Sequence, residues 1–411
     1  MQRTRSAVGV ASLSVSLFLA VCAADALAEK KYGPGVTDTE IKIGQTIPYS
    51  GPGSSYATIG RAQTAYFAKV NAEGGVNGRK IALLSFDDGY SQPKTVEQTR
   101  RLVEQEQVLV IFSSVGTPTN AAVQKYLNAK KVPQLFAASG GSEFGDPAHF
   151  PWTIGWRANY RSEARIYAKY IIRTRPNARL AVLYQNDDLG KDYLKGLLEG
   201  LGDKAARMIV AQASYEVTDP TVDSQIATLK GSGADTLLNF STPKAAAQAI
   251  RKVYDIGWKP LQFVSNVGSS VASVLKPAGL DKSLGLLTAA FLKDPTDQQW
   301  RNDAGYKDWL AFMKQYYPEG DLADFYNVYA YGLAQTLVHV LKQCGDDLTR
   351  ENVMRQAASL KNLELPMLLP GVKINTSATD FYPIEQMQLQ RFDGKQWILF
   401  GDLIDASLVS Q

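Results

Sequence analysis

The chain alternates short apolar runs with longer segments of helical spacing, and this alternation limits its fold more than any other feature. The apolar runs include KIALLSF at 80–86 and TLLNF at 236–240, and Pro243–Ile256 is an example of the helical segments. Runs that are apolar throughout and separated by helices are typical of parallel strands covered on both faces. Because the pattern restarts near Trp152–Trp156, we predict an α/β protein with two doubly wound, Rossmann-like lobes.

The segments that follow the predicted strands are rich in small and polar residues. They are YSGPGSSY, DDGYSQP, SSVGTPTN, AASGGSEF, QNDDLG, FSTPK and SNVGSS. Doubly wound sheets bind their ligands beyond the carboxyl ends of the strands. These segments therefore predict a binding cleft lined by backbone and hydroxyl groups.

The last third of the chain has a different pattern. It predicts a strand at Gly285–Phe291, helices at Asp303–Tyr317 and Tyr326–Gln343, and a hairpin that turns at Asp393-Gly394. No low-complexity linker marks a domain boundary, so ordinary connecting strands must join the lobes.

The first residues predict an export signal that is cleaved after Ala28. Arg3 and Arg5 precede a weakly apolar stretch, and Ala26-Leu27-Ala28 offers small residues before the cut. A lipoprotein site at Cys22 is the alternative, although Val21 is large for the preceding position. The expected location is the periplasm, and Cys344 would remain as a single thiol without an intramolecular disulfide.

The composition and motifs favour binding over catalysis. With 44 basic and 40 acidic residues the chain is nearly neutral and has no basic block, so nucleic acid is not an expected partner. The sequence has two histidines, and no metal-ligand spacing, nucleophile elbow or phosphate-binding loop occurs, so we predict no enzyme and no cofactor. Asp87-Asp88 and Asp187-Asp188 are better explained by capping and loop anchoring than by acid–base chemistry.

A predicted helix begins in the stretch SSVGTPTN, with Thr117 and Thr119 at its start. A helix start offers unpaired N–H groups, and the segment Ala138-Ser139-Gly140 supplies a second backbone edge at the next strand end. Together these groups suit a carboxylate. Simple capping of the helix by Thr117 or Thr119 remains the alternative.

The sequence resembles the periplasmic solute-binding proteins of the branched-chain amino acid type, which deliver ligands to ABC importers. The resemblance covers nearly the whole mature chain through the order and spacing of its segments. They are IKIGQTIPYSGPGSSYATIGRAQTAYF, NAEGGVNGRKIALLSFDDGYSQPKTVEQTRRLVEQEQV, SSVGTPTN, VPQLFAASG, RLAVLYQNDDLGKD and ADFYNVYAYG.

The resemblance implies two lobes joined by a three-stranded hinge, a periplasmic binding protein fold of type I, with the ligand buried as they close. Lobe 1 would comprise residues 37–157 plus 288–369, and lobe 2 residues 158–287 plus 370–411. A monomer that hands a small carboxylate to a membrane permease is expected. A ligand-sensing receptor domain can share this fold. The sequence shows no downstream membrane span or signalling domain, and this disfavours a receptor.

In this family a hydroxyl residue at the helix start and groups at the next strand end hold the ligand carboxylate, at positions that fall on Thr117, Ala138 and Gly140. Amino acid binders also place an acid where Val267 stands, a tyrosine at Thr242 and an aromatic residue at Leu189. These departures disfavour an amino acid, since a buried ammonium needs a partner.

The long leader KYGPGVTDTEIKIG and the FPWTIG segment resemble the subset that takes up aromatic acids such as benzoates and cinnamates. A branched-chain or other hydrophobic amino acid is the alternative ligand. The candidate ring contacts are Tyr49, Tyr56, Phe136, Trp156, Phe325 and Tyr326. The candidate ligand contacts as a whole are Thr117, Ala138, Ser139, Gly140, Tyr49, Leu189, Thr242, Asn266, Val267, Phe325 and Tyr326.

Overall fold

The structure is a computed structural model that describes residues 30–405. The predicted signal segment, its cleavage site after Ala28 and Cys22 lie outside these residues. The strands are β1 Lys31–Tyr32, β2 Glu40–Ile47, β3 Lys80–Asp87, β4 Ile111–Phe112, β5 Gln134–Ala137, β6 Thr153–Gly155, β7 Leu180–Gln185, β8 Ile209–Tyr215, β9 Thr236–Phe240, β10 Leu261–Val264, β11 Leu287–Ala290, β12 Asp347–Leu348, β13 Gln386–Phe392 and β14 Trp397–Asp405.

The helices of the same region include several single turns. They are α1 Ala57–Ala72, α2 Gln92–Arg100, α3 Thr117–Ala129, α4 Tyr160–Thr174, α5 Asp188–Leu201, α6 Ala205–Met208, α7 Asp223–Gly231, α8 Pro243–Asp255, α9 Lys276–Ala278, α10 Ala304–Tyr316, α11 Phe325–Cys344 and α12 Arg350–Ala357. Turns of 3₁₀-helix lie at Ser54–Tyr56, Ser142–Gly145, Gly202–Lys204, Asn266–Gly268 and Gln298–Asn302, and turns of π-helix at Arg101–Gln105 and Val271–Leu275. No helix within residues 30–405 is both long and apolar enough to cross a lipid bilayer.

The first sheet has five strands in the order β3-β2-β4-β5-β6, and all its pairs are parallel. Its strands are apolar because both faces are covered: Ile41, Ile43 and Ile47 of β2 are completely buried. This is the pattern expected of a parallel sheet between two helix layers. We call this sheet with the helices packed on it the first lobe.

The second sheet has seven strands in the order β14-β13-β11-β10-β9-β7-β8. Strands β7 to β11 pair in parallel, whereas the hairpin β13–β14 joins β11 in antiparallel orientation. The hairpin turns at Gly394, where the backbone φ of +99° suits a glycine. We call this sheet with its helices the second lobe.

The late helices return to the first lobe after β11. Tyr331 of α11 packs edge-on against Tyr66 of α1 with ring centroids 5.1 Å apart, and Phe312 of α10 lies 5.7 Å from the same ring. The chain therefore passes between the sheets after β6, after β11 and before β13. These three connections and the two doubly wound sheets agree with the predicted fold class.

The predicted elements are confirmed where their apolar runs are long. The predicted strand at 236–240 coincides with β9, and the predicted helix at Pro243–Ile256 with α8. β6 and α12 were not anticipated. β11, which spans the predicted lobe boundary at 287/288, lies in the second sheet, and the remaining bounds of the lobes stay a prediction.

Candidate functional site

A cavity lies between the two lobes. It is lined by Tyr56, Ile59, Tyr90, Val115, Gly116, Thr117, Ala138, Arg157, Tyr160, Leu189, Val267, Phe325, Tyr326 and Tyr329. All of these residues except Ala138 are buried. The cavity is thus formed by strand-end loops and helix starts that meet across the cleft, where doubly wound folds hold ligands.

The start of α3 contributes a glycine and a threonine to the cavity wall. Gly116 has a φ of +107°, and a Cβ there would lie 2.7 Å from the Tyr90 ring, so only glycine allows this close approach. The Thr117 hydroxyl lies 2.8 Å from the Ser139 hydroxyl, and Ser139 Oγ accepts a hydrogen bond from the Gly141 N–H at 3.1 Å. A hydroxyl has a single proton to donate. When Ser139 donates to the Thr117 oxygen, the Thr117 hydroxyl proton remains available for a ligand in the cavity.

Neither threonine caps α3 through its side chain. The N-cap position is Gly116, which lacks a side-chain cap, and the Thr119 hydroxyl donates to the carbonyls of Val115 at 2.6 Å and of Gly116 at 3.1 Å. Simple capping, the alternative raised from the sequence, therefore does not explain Thr117.

The start of α11 contributes three aromatic rings. Phe325 and Tyr326 lie four and three residues before Tyr329, spacings at which side chains are neighbours on a helical surface, and all three line the cavity. Tyr326 and Tyr56 have ring centroids 5.2 Å apart, and the Tyr326 hydroxyl donates to the Val267 carbonyl at 2.6 Å. Burial raises the pKa of Tyr326 well above its ordinary value, so the phenol stays neutral.

The connection between β6 and α4 contributes Arg157, which carries the one guanidinium among the described residues of the lining. This side chain is 6% exposed, and its Nη2 donates to Asn266 Oδ1 at 2.6 Å. Burial opposes the charged form, but neighbouring groups, with Tyr160 the strongest and Glu163 among them, raise the pKa of Arg157 overall. The cavity therefore contains a permanent positive charge.

None of the lining residues that the structure describes carries a carboxylate. Glu163 lies behind Arg157, and its oxygens accept hydrogen bonds from the Tyr167 and Tyr193 hydroxyls and from the Asn266 N–H. Within residues 30–405, no group of three or more His, Cys, Asp or Glu side chains is placed to hold a metal ion.

The sequence matches a family model described as periplasmic binding protein over residues 40–396. The chain belongs to this family. The match to the Leu/Ile/Val-binding protein homolog 7 of Brucella abortus (strain 2308) is 26% identical over 254 residues. It covers 57% of this chain and spans 61%, or about three fifths, of that relative's length.

Solved periplasmic binding proteins share the fold. A branched chain amino acid ABC transporter protein from Thermus thermophilus with bound valine superposes with a TM-score of 0.80 at 16% identity, over 91% of this chain and 98% of that one. A fatty acid ABC transporter substrate-binding protein from Thermomonospora curvata gives a TM-score of 0.77 at 22% identity, over 92% and 96%. At such identities the likeness shows the fold, which is that of type I periplasmic binding proteins.

Six of the eleven candidate ligand contacts of this periplasmic binding protein line the cavity. They are Thr117, Ala138, Leu189, Val267, Phe325 and Tyr326. Their role as ligand contacts stays a prediction. Of the candidate ring contacts, Tyr56 also lines the cavity.

The other five candidates lie outside the cavity wall. The Tyr49 hydroxyl pairs with Ser85 Oγ at 2.6 Å, within the first lobe. Thr242 donates to Gln185 Oε1 at 2.8 Å, and Asn266 accepts from Arg157. The Ser139 hydroxyl contacts the Thr117 hydroxyl. The fifth candidate is Gly140.

Gly140 supports the site from behind. Its carbonyl accepts from the Tyr160 N–H at 2.9 Å, and a Cβ at this position would lie 2.7 Å from both the Ala158 oxygen and the Tyr160 ring. The absence of a side chain thus lets the connection after β6 approach the end of β5.

Two of the candidate rings lie outside the cavity wall. Phe136 is in the core, and Trp156 Nε1 donates to Thr336 Oγ1 at 2.9 Å.

One residue of each acidic pair anchors a loop or a helix start, as the preferred interpretation expects. Asp187 caps α5 through the Gly190 N–H, and Asp87 accepts from the Ser50 and Gly89 N–H groups. The sequence reasoning missed Tyr90, Arg157, Tyr160 and Tyr329. A single arginine on a connection between elements has no spacing or periodicity that would single it out.

Proposed function

We propose that this protein is the extracytoplasmic solute-binding component of an ABC importer and that it binds a small aromatic carboxylate of the benzoate or cinnamate type. The ligand would occupy the cavity between the lobes and be delivered to a membrane permease. We propose the periplasm as its location, a monomer as its working form, and no enzymatic activity. Membership of the periplasmic binding protein family supports the transport role.

The observation that carries the proposal is the composition of the cavity wall. Aromatic rings from Tyr56, Phe325 and Tyr326 surround the space, and the Thr117 hydroxyl and the Arg157 guanidinium supply polar donors. Within residues 30–405, no carboxylate lines the cavity. Rings favour a flat apolar ligand body through stacking and edge contacts. A hydroxyl and a guanidinium favour an anionic group.

The enclosure of the cavity favours a small ligand. All of its lining residues except Ala138 are buried. A single ring with a short acidic group suits such an enclosed space better than a peptide or a nucleotide.

The second candidate ligand is a branched-chain or other hydrophobic amino acid. The Brucella relative, a Leu/Ile/Val-binding protein homolog, and the valine bound in the Thermus structure favour it. Val267 and Leu189 disfavour it, because they are apolar residues in the wall where an ammonium would need a partner. Leaving a charged group buried and unpaired costs several kcal/mol.

Calorimetry on ligand-stripped protein tests the proposal. Leucine, phenylalanine, 4-hydroxybenzoate and 4-hydroxycinnamate are titrated into the same preparation. We expect micromolar or tighter binding of at least one aromatic acid and none of leucine. Tight binding of leucine with no heat from either aromatic acid would replace the proposal with the amino acid alternative.

A further inference from the structure

Arg157 is a buried cation with unused hydrogen-bonding capacity. It lies on the connection between β6 and α4, is 6% exposed and lines the cavity. A guanidinium has five N–H donors, and buried donors are expected to be paired. Nη2 donates to Asn266 Oδ1, but the buried Nε–H has no hydrogen-bond partner among the described residues.

The positive charge of Arg157 is also incompletely compensated. Its Nη2 is 4.0 Å from Glu163 Oε2, at the limit of an ion pair. The Glu163 oxygens are already occupied by the Tyr167 and Tyr193 hydroxyls and the Asn266 N–H, at 2.7–2.8 Å. Aromatic rings also lie next to the guanidinium, with the ring centroids of Tyr160 at 5.5 Å and of Tyr329 at 5.9 Å.

We infer that Arg157 is the residue that makes the cavity select an anion, by donating to the acidic group of the ligand, and that Asn266 and Glu163 are its positioning residues. The inference rests on the proposed function and names the group that decides its ligand class. Asn266 holds Nη2 directly, and Glu163 holds the Asn266 backbone. The two oxygens of a carboxylate can accept two parallel N–H hydrogen bonds from one guanidinium.

Thr117 alone would not select a charge. A hydroxyl donates to the carbonyl oxygen of a neutral amide as readily as to a carboxylate oxygen, whereas a buried guanidinium strongly favours the carboxylate. The ratio of acid affinity to amide affinity therefore reports on Arg157 specifically. Benzoate and benzamide, or 4-hydroxybenzoate and 4-hydroxybenzamide, form matched pairs for this measurement.

The experiment compares these pairs by calorimetry on the stripped full chain, with Arg157→Gln and Arg157→Lys. We expect Arg157→Gln to weaken acid binding at least about a hundredfold and to leave amide binding within about threefold. Arg157→Lys keeps the charge but loses the fork, so it should retain a smaller preference for the acid. If Arg157→Gln does not fold, Arg157→Lys still tests the inference. An Arg157→Lys protein that prefers the acid over the amide as strongly as the parent would contradict it.

Arg79 offers a matched control. It is 3% exposed, but it pairs with Asp346 at 2.6 Å and does not line the cavity. Arg79→Gln should lower the melting temperature without changing the acid-to-amide ratio. If Arg79→Gln also lowered the ratio of acid affinity to amide affinity, the effect of Arg157→Gln on this ratio would be explained by general destabilisation, and the inference would be overturned.

Asn266→Asp tests the positioning role. An aspartate at this position would pair with Arg157 and compensate its charge, so the acid should bind about tenfold or more weakly while the amide is unaffected. A purely structural role would weaken both ligands together and would contradict this part of the inference.

The outcomes separate this inference from the proposed function. A wild-type protein that binds no aromatic acid refutes the proposed function. A wild-type protein that binds the acid, together with a folded Arg157→Gln variant that binds it equally well, refutes the inference and leaves the proposed function intact.

Discussion

Thr117 is the residue where the sequence and the structure meet most directly. Its position at the start of α3 was proposed from the strand-to-helix pattern, and the side chain lines the cavity with its hydroxyl 2.8 Å from Ser139 Oγ. The hydroxyl is completely buried. Its remaining hydrogen-bonding capacity can be used by a ligand in the cavity.

We predict that Thr117→Val weakens ligand binding roughly ten- to a hundredfold, because a hydrogen bond to a charged group contributes about 1.5–3 kcal/mol. Calorimetry measures the affinity, and a melting curve shows that the variant is folded. Thr119→Val is the matched control, since the Thr119 hydroxyl bonds only to backbone carbonyls of its own helix start. Unchanged affinity in a folded Thr117→Val protein would remove Thr117 from the site.

Single residues were the hardest part of the site to predict. Thr117, Ala138 and Val267 follow strands and were found because strand ends predict where ligands bind. Arg157 precedes a helix on an irregular connection, and its importance depends on Asn266, more than one hundred positions away in the chain. No local pattern encodes such a contact.

At the scale of elements, helix α11 connects the two lobes through its first residues. Asp324 caps this helix by accepting from the Tyr326 N–H, and the same carboxylate accepts from Ser270 Oγ at 2.8 Å and Ser273 Oγ at 2.7 Å. The two serines belong to the turn after β10, in the second lobe. The cap of α11 is therefore also a contact across the cleft.

We predict that Asp324→Ala lowers both stability and ligand affinity. Loss of a helix cap costs about 1 kcal/mol, and loss of the contact across the cleft should weaken binding about tenfold. Thr349→Ala is the control, because Thr349 caps α12 through the Asn352 N–H and lies outside the cavity wall. It should lower the melting temperature alone. An equal loss of affinity in both variants would argue against a role in closure.

The 3₁₀ turn Ser142–Gly145 forms a second contact between the lobes. The Ser142 N–H donates to Asp192 of α5 at 2.6 Å. Within this turn, burial and the negative charges of Asp192, Asp188 and Asp187 raise the pKa of Glu143 to about 7. Since the pKa is raised in the folded state, Glu143 stabilises the fold below about pH 4.5 and loses this contribution as the pH rises through 7.

We predict that Glu143→Gln removes this pH dependence. The variant and the parent should have similar melting temperatures at pH 5, and the variant should be more stable at pH 8. The difference is expected to be on the order of 1–2 kcal/mol, because the side chain is partly exposed. Other titrating groups affect both proteins alike. A stability difference that does not grow between pH 5 and pH 8 would contradict the prediction.

The elements that the sequence predicted well are those whose burial is uniform. All five residues of β9 are buried, so the run TLLNF was sufficient. In contrast, the apolar run Val108–Phe112 contains only the two residues of β4, and β6 has only three residues in all. Pairing with neighbouring strands defines such short strands, and that information is not local.

At the scale of the whole molecule, the arrangement consists of two lobes with the candidate site between them. The cavity wall includes Thr117 from the first lobe, Val267 from the second, and Arg157 from a connection between them. A ligand in this position contacts both lobes at once. Contacts of this kind stabilise the closed arrangement relative to an open one. The stabilisation equals the difference between the binding free energies of the ligand in the closed and open arrangements.

We predict that ligand addition compacts the stripped protein. Small-angle scattering should show a smaller radius of gyration with the bound acid than without it, and chelator should not change either value. The Arg157→Gln variant should remain expanded at ligand concentrations that compact the parent. An identical radius of gyration with and without bound ligand would exclude closure as the binding mechanism.

Burial of the cavity wall also has a consequence for kinetics. Because the lining residues other than Ala138 are shielded from solvent, a bound molecule leaves only when the lobes separate. The residence time is then set by how often the protein opens, whereas the choice of compound is set inside the cavity. Substitution of Asp324, which lies outside the cavity wall, should therefore shorten the residence time of every ligand by the same factor and leave their order of preference unchanged.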